Sequence, residues 1–254
     1  MNILVIGGCQ VYGYGLTSNE RSFVDQFSDR LKETGYSPQI TSYVFLPLAT
    51  VRETLAHLDL SNVDLLIIQP AHYNLQHPST FWKLFKTPTK KVPKQAGYGL
   101  TTNELSAMRA LPPLPLDRTP IGRIKQMKNW LKRLLLCVSK PAGLVKQLLY
   151  VEQEIAALLE QLHPHRENVI LLTPTPHRDL VSQWLRKQGR TIVLNEGNRW
   201  GMTVLDTHLI IRPDEKVYLT DDPSHLNSTG HHLLGQALVA CYEVQQGLVE
   251  EVFV

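Results

Sequence analysis

Ile3-Leu4-Val5-Ile6-Gly7-Gly8-Cys9 is the stretch on which the fold turns. Four consecutive apolar residues leave no polar face, so the run reads as a parallel strand buried on both sides rather than a half-exposed one, and Gly7-Gly8 stops it. Leu65-Leu66-Ile67-Ile68 and Val169-Ile170-Leu171-Leu172 repeat the pattern, and Ile40–Leu46, Thr191–Leu194 and Met202–Leu205 also read as strands. Helical patterns lie between them. Thr17 and Glu20, three apart, predict a capping box ahead of Phe23, Phe27 and Leu31, with Gly35 at the stop. Thr50 to Glu53 predicts a second box, opening a helix with Val51, Leu55 and Leu58 on one face. A further helix is expected from about Asp179 to Lys187, ended by Gly189. The last is expected from about Ser228 to Gly247 and carries Leu233, Leu234, Ala237 and Leu238. Short apolar strands alternating with amphipathic helices imply one α/β domain over residues 1–254, a parallel sheet covered on both faces. Ligands in such sheets bind beyond the carboxyl ends of the strands, which directs attention to the loops after Ile6, Leu46, Ile68 and Leu172.

The segment from about 76 to 150 breaks this alternation. It holds 8 of the 16 prolines, and 14 Lys or Arg against Glu104 and Asp117. Its net charge is +12, whereas the remainder, with 12 basic and 21 acidic residues, stands at −9. An acidic α/β body therefore carries a basic, Pro-rich, helical insertion, expected as a lid or cap over the cleft. Within it Ile121, Ile124, Met127, Leu131, Leu134 and Val138 fall at helical spacing, interleaved with Arg123, Lys125, Lys128, Lys132 and Arg133. Such a helix also suits an anionic membrane surface or an acidic partner. Thin aromatic interleaving, mainly Phe81, Trp82, Phe85 and Trp130, argues against a nucleic-acid platform.

Hydrophobic residues at 43% and charged residues at 19% are globular values. Cys9, Cys137 and Cys241 are too far apart for a zinc site, and an odd number is no disulfide framework. Free thiols suit a reducing compartment, and no apolar run reaches the roughly 18 residues of a membrane span. With no basic leader ahead of Ile3–Ile6, the expectation is a cytoplasmic, soluble protein. His163, His165, His177 and His231 lack metal-like partner spacing, so neither a metal nor an organic cofactor is expected.

Two constellations remain. Gly7-Gly8-Cys9-Gln10-Val11-Tyr12-Gly13-Tyr14-Gly15 follows the first strand but lacks both the dinucleotide spacing opening directly into a helix and a P-loop lysine. It reads better as a loop presenting Cys9 at the carboxyl edge of the sheet, with plain core packing of the thiol as the bland alternative. Asp222-Pro223-Ser224-His225 places a carboxylate three residues before a histidine, where it can fix the ring's tautomer and stabilise its charged form.

The wider run Val204-Leu205-Asp206, then Asp222-Pro223-Ser224-His225-Leu226-Asn227 and Gly230-His231, resembles the C-terminal block of the SGNH (GDSL) hydrolases. The strand followed by Gly7-Gly8-Cys9 and Gly13 resembles their first block, with Cys9 at the nucleophilic serine and Gly8 in place of its aspartate; Val169–Leu172 with Thr173-Pro174-Thr175-Pro176 resembles the region of their fourth strand. The resemblance spans roughly residues 1–75 and 165–247. It implies a flavodoxin-like three-layer α/β/α fold and acyl-ester or thioester hydrolysis, or acyl transfer, by Cys9, His225 and Asp222. His225 would act as general base and then acid. The family's oxyanion donors carry over to the nucleophile's own N–H, to Ala49 as the nearest match for a glycine, and to Tyr73 in strict register or Asn74 with a one-residue bulge. At the end of the third strand, Gln69, His72 and Tyr73 are candidates for the cleft lining, with structural roles as the equal alternative. The substrate implied is a small-molecule or carrier-bound acyl compound; the alternative is a non-catalytic relative binding a ligand or partner in the same cleft.

Overall fold

The computed structural model describes residues 1–70, 75, 81–88, 99–101, 104–105, 123–219, 222 and 224–248, with the side chains of 123–125 and 215 left aside. Six strands form one sheet: β1 (Asn2–Gly7), β2 (Gln39–Val44), β3 (Leu65–Ile68), β4 (Leu100–Thr101), β5 (Val169–Leu172) and β6 (Thr203–Leu205), in the order β4-β2-β1-β3-β5-β6. β1 pairs in parallel with β2, Ile6 opposite Tyr43, and with β3, Ile6 opposite Ile68; β3–β5 and β5–β6 are parallel too. The expected parallel sheet is mixed at one edge, because β4, contributed by the basic insertion, runs antiparallel to β2. Two residues long, that edge strand has no hydrophobic pattern by which the sequence could reveal it.

Side chains on the buried strands alternate between two cores. Leu4 and Ile6 of β1 face one side, where they join α3 (Leu48–His57), α5 (Lys146–Leu162) and α6 (Leu180–Arg199). Ile3 and Val5 face the other, against α2 (Phe23–Glu33) and α8 (Ser228–Gln245). The insertion also supplies α4 (Arg123–Ser139), which joins the first core through Leu136. Two one-turn helices, α1 (Cys9–Tyr12) and α7 (Thr207–Ile210), follow β1 and β6. Among the described residues no helix is long and apolar enough to cross a membrane.

Several local expectations shift. The Thr17–Glu20 pair makes a turn, with the Thr17 N–H donating to the Glu20 carboxylate at 2.7 Å, and the box that caps α2 is instead Ser22 with Asp25. Helix α3 begins at Leu48 behind Pro47, ahead of the expected Thr50 box. The largest correction concerns Thr191–Leu194, which is helix and not strand. Asp179 caps α6 as expected, but the helix runs through Gly189 to Arg199. Val181, Leu185, Gly189, Val193 and Gly197 are buried at a strict four-residue period, so tertiary packing holds one face down and overrides the β-branched preference of Thr191-Ile192-Val193. Gly189 is a packing residue there: a Cβ would meet Leu75 Cδ1 at 2.0 Å.

Gly230 has a stricter job. In the first turn of α8, a Cβ would approach the backbone carbonyl oxygen of Val217 to 2.5 Å and Leu226 to 3.1 Å. Backbone cannot swing aside as a side chain can. Gly230→Ala should therefore destabilise the protein by about 1–3 kcal/mol through overpacking, even though alanine is the better helix former by up to ~1 kcal/mol. Denaturant unfolding reads the sign directly; a stabilised variant would show that the Val217–Leu226 segment yields freely.

Candidate active site

The site grows from the carboxyl ends of the central strands. Leaving β1, the chain turns at Gly8 into α1, whose first residue is Cys9, 7% exposed. Gly13 ends this turn in the left-handed region at φ 75°, and Gly15 follows at φ 81°. Side chains are strained at such angles, so these glycines serve a tight reversal; the Tyr14 N–H donates back to the Cys9 carbonyl at 3.1 Å. A Cβ at Gly15 would meet Leu219 Cδ1 at 2.2 Å, so the loop also needs glycine for close approach to the segment carrying the histidine.

That segment is a strap ahead of α8. Tyr218 bridges Leu226, the Leu219 N–H donates to the His225 carbonyl at 3.0 Å, and the Asn227 N–H donates to the Val217 carbonyl at 3.0 Å. The Asn227 amide donates to the carbonyls of Lys216 and Tyr218, while its oxygen caps α8 by accepting from the Gly230 N–H. The Tyr218 hydroxyl donates to the Pro176 carbonyl at 2.7 Å and ties the strap to the loop after β5. Asp222 and His225 thus sit on a frame fixed at both ends.

Within it, the structure brings Cys9, His225 and Asp222 together. His225 Nε2 lies 3.0 Å from Cys9 Sγ, and His225 Nδ1 lies 2.6 Å from Asp222 Oδ2. The other Asp222 oxygen accepts from the Ser224 N–H, the Ser224 hydroxyl and the His225 N–H at 2.8, 2.8 and 3.1 Å. Burial raises the Asp222 carboxyl, but the bonds from His225 and Ser224 outweigh it and bring its pKa down to about 2. Burial lowers His225, yet the bonds to Asp222 and Cys9 outweigh that and lift it to about 9. The pair shapes stability with pH in both directions. The raised His225 contributes stability that is full below 6.5 and fades as pH rises through about 9; the depressed Asp222 contributes stability present above 3.8 and lost as pH falls through about 2.

Three neighbours went unmarked in the sequence. Gln10, 1% exposed, donates through its amide to Thr175 Oγ1 at 2.9 Å and to the Ser224 carbonyl at 3.4 Å, so it joins the loop after β5 to the strap. Tyr14 lies against the His225 ring with centroids 4.3 Å apart. Arg186, on the inner face of α6, is fully buried; burial pulls its pKa down to about 10, with Cys9 and Tyr218 acting to raise it, so it stays charged at neutral pH behind the site. No local spacing signals any of the three. They become visible only when the strands are placed side by side.

Ala49 lies in the first turn of α3, where backbone N–H groups have no carbonyl four residues earlier to accept them, at the same sheet edge as Cys9. On the loop leading there, Phe45 is the one non-glycine among the described residues with a positive φ, 62°. It contacts Tyr12 edge-on at 5.7 Å, and its N–H donates to the Gly7 carbonyl. Such strain in a bulky residue is typical of functional sites. Gln69 is buried at the end of β3. His72, Tyr73 and Asn74 lie outside the described residues. Leu105 and Leu100 of the insertion cluster with Cys9, Tyr12, Tyr14 and Val44, so the insertion forms part of the wall beside the thiol.

No family model matches the sequence, and no curated protein matches it. Solved structures do resemble the fold. A lipase/acylhydrolase from Enterococcus faecalis is 12% identical with a TM-score of 0.56, covering 97% of each chain. The acetylxylan esterase Axe2 from Geobacillus stearothermophilus is 11% identical with a TM-score of 0.54, covering 94% of this chain and 93% of its own. A psychrotrophic esterase, EstA, from Pseudoalteromonas sp. is 10% identical with a TM-score of 0.56, covering 97% and 98%. At these identities the likeness is one of fold, here a three-layer α/β/α arrangement.

The electrostatics make Asp222→Asn informative. Losing the carboxylate removes the foremost of the influences that raise His225, so the ring should give up its proton well below pH 9, moving toward 6.5. Following the His225 ring protons by NMR across pH measures this; an unchanged titration would mean that Asp222 does not hold the charge.

Proposed function

We propose that the chain is an acyl hydrolase that cleaves an ester or thioester through an acyl intermediate on Cys9. The observation that carries the proposal is the unbroken run from Cys9 Sγ to His225 at 3.0 Å and from His225 to Asp222 at 2.6 Å. Esterases and an acylhydrolase among the proteins of like fold support ester chemistry as the reaction class. A thiolate is the reactive form of a cysteine nucleophile, and an adjacent imidazole activates it.

His225 first takes the Cys9 proton, so that the reacting form is a charged imidazole, which its lift to about 9 favours, facing a sulfur anion. The sulfur attacks the acyl carbon and a C–S bond forms, while the carbonyl π electrons move onto oxygen. The N–H groups of Cys9 and Ala49 supply donors for that oxyanion; one donor of this kind typically contributes about 10²–10³ in rate. As the intermediate collapses, the bond to the leaving group breaks and His225 gives that group its Nε2 proton. Water then attacks the thioester carbon as neutral His225 takes its proton; the C–S bond breaks with its electron pair on sulfur, and the free acid departs, leaving Cys9 and His225 to start again. An amine or thiol acceptor in place of water turns the same intermediate to acyl transfer. The apolar wall of Tyr12, Leu100 and Leu105 suits an apolar acyl group, and through Leu100 and Leu105 the insertion acts as a cap on the cleft.

The test uses activated acyl esters and thioesters with mass spectrometry of the intact protein. An acyl adduct on Cys9 is expected, and Cys9→Ala should lower turnover by about 10³-fold or more. No adduct and unchanged turnover in Cys9→Ala would remove the mechanism and leave the ligand-binding reading of the cleft. The pH profile adds a second handle: kcat/KM should fall as pH rises through about 9, where His225 loses the proton it must donate.

A further inference from the structure

The helix α4 is turned the wrong way round for a helix on a soluble surface. Its inward side carries Asn129, Lys132, Leu136 and Ser139, of which Leu136 is the one large apolar residue and is fully buried. Its outward side carries Met127, Trp130, Leu131, Leu134, Leu135 and Val138, at the spacing of a single helical stripe, and each is between 39% and 68% exposed. From Met127 to Val138, about 18 Å of helix, the apolar face looks away from the protein. An exposed stripe of this length marks an interaction surface.

Orientation and charge narrow the occupant. The helix is held in place from below: the Asn129 amide donates to Asp179 Oδ1 at 3.1 Å, and Lys132 Nζ stands 5.6 Å over the Phe81 ring. Lys128 and Arg133 are exposed, one on either flank of the stripe at 100° per residue. The sequence Arg123–Ser139 contains five basic residues and no acidic one. Next to Phe81, Trp82 is 61% exposed, a second exposed indole in addition to that of Trp130. A second copy of this helix would set five positive charges against five. Apolar side chains facing outward, indoles among them and basic groups at the flanks, fit the boundary of an anionic lipid layer, with the stripe among the acyl chains and the cations at the headgroups.

We infer that α4 docks the protein on an anionic membrane surface, lying in the plane of the interface. The same anchoring gives the docking a direction. Asp179, to which α4 is tied, caps α6 just after the β5 loop, and its own N–H donates to His177 at that loop. The docked helix therefore lies at the edge of the sheet that holds Cys9. Membrane docking does not rest on the acyl chemistry: it can be measured in a Cys9→Ala protein.

The experiment is flotation of the full chain with phosphatidylcholine vesicles, and with the same vesicles carrying about one third phosphatidylglycerol. Binding is expected on the anionic vesicles and little on the neutral ones, weakening as salt rises from about 0.1 M to about 0.5 M. Leu131→Asp combined with Leu134→Asp should cut the bound fraction about tenfold or more, and Lys128→Glu with Arg133→Glu should abolish the anionic preference. All four positions are exposed, and thermal melts by circular dichroism confirm that the variants remain folded. Equal binding to both vesicles, no binding to either, or binding untouched by the aspartates would overturn the inference. So would vesicle-free self-association that the aspartates abolish, since the stripe would then be covered by a second copy.

Discussion

Strand β1 is hydrogen-bonded in parallel on both sides, Ile6 lying between Tyr43 and Ile68. This pairing is the constraint from which the rest follows. The chain that leaves β2 enters helix α3 on one face of the sheet, while the chain that leaves β1 reaches α2 on the other. Between those divergent paths a crevice opens beyond the end of β1, as it must wherever the winding of such a sheet reverses. Gly8 and Cys9 are the first residues to enter it. A side chain at the start of a one-turn helix there cannot retreat into either core, and Cys9 is accordingly grouped with Tyr12 and Leu105 rather than with the two large clusters.

The second half of the site comes from far along the chain and depends on framing. A carboxylate as buried as Asp222, 1% exposed, is costly to hold in charged form unless each oxygen finds donors. Ser224 and the His225 N–H satisfy one oxygen, and the imidazole meets the other. Those bonds hold only while the strap keeps its shape, which makes Asn227, Tyr218 and Gly230 part of the electrostatics without touching the imidazole. Gln10 completes the frame by joining the residue beside the thiol to both the strap and Thr175. Arg186 adds a buried positive charge within electrostatic reach of Cys9 and Tyr218.

Local chemistry explains what was legible in the sequence. β1, β3 and β5 are buried on both faces, so each announces itself as an uninterrupted apolar run. Asp222 and His225 were legible because both partners lie on one short loop, three residues apart. Thr191–Leu194 was misleading for the opposite reason: four residues of strand-like composition lie on a helix whose face is chosen by glycines and valine at period four, a pattern that emerges only over the whole of Val181–Gly197. β4 and Leu105 belong to an insertion whose relation to the sheet depends on partners distant in sequence. Gln10 and Arg186 carry no local mark, since a glutamine after a strand and an arginine in a helix are ordinary until the fold buries them.

Periodicity shows that a helix has two faces and is silent about which one turns inward. For α2 the answer is the usual one, with Phe23, Phe27 and Leu31 in the core. For α4 the same kind of pattern resolves the other way. Asn129 is committed to the cap of α6 and Leu136 to the core, and those two fixed points, seven residues and nearly two turns apart, lie on one side of the cylinder. Once they are satisfied, Met127, Leu131, Leu134 and Val138 must face outward, whatever their hydrophobicity. The cost of exposing them is set by what surrounds the protein, so a helix held in this way is stable next to an apolar phase and frustrated in water. The orientation of α4 and the position of the cleft are thus consequences of one anchoring, because the residue that fixes the helix, Asp179, also fixes the His177 loop at the rim of the site.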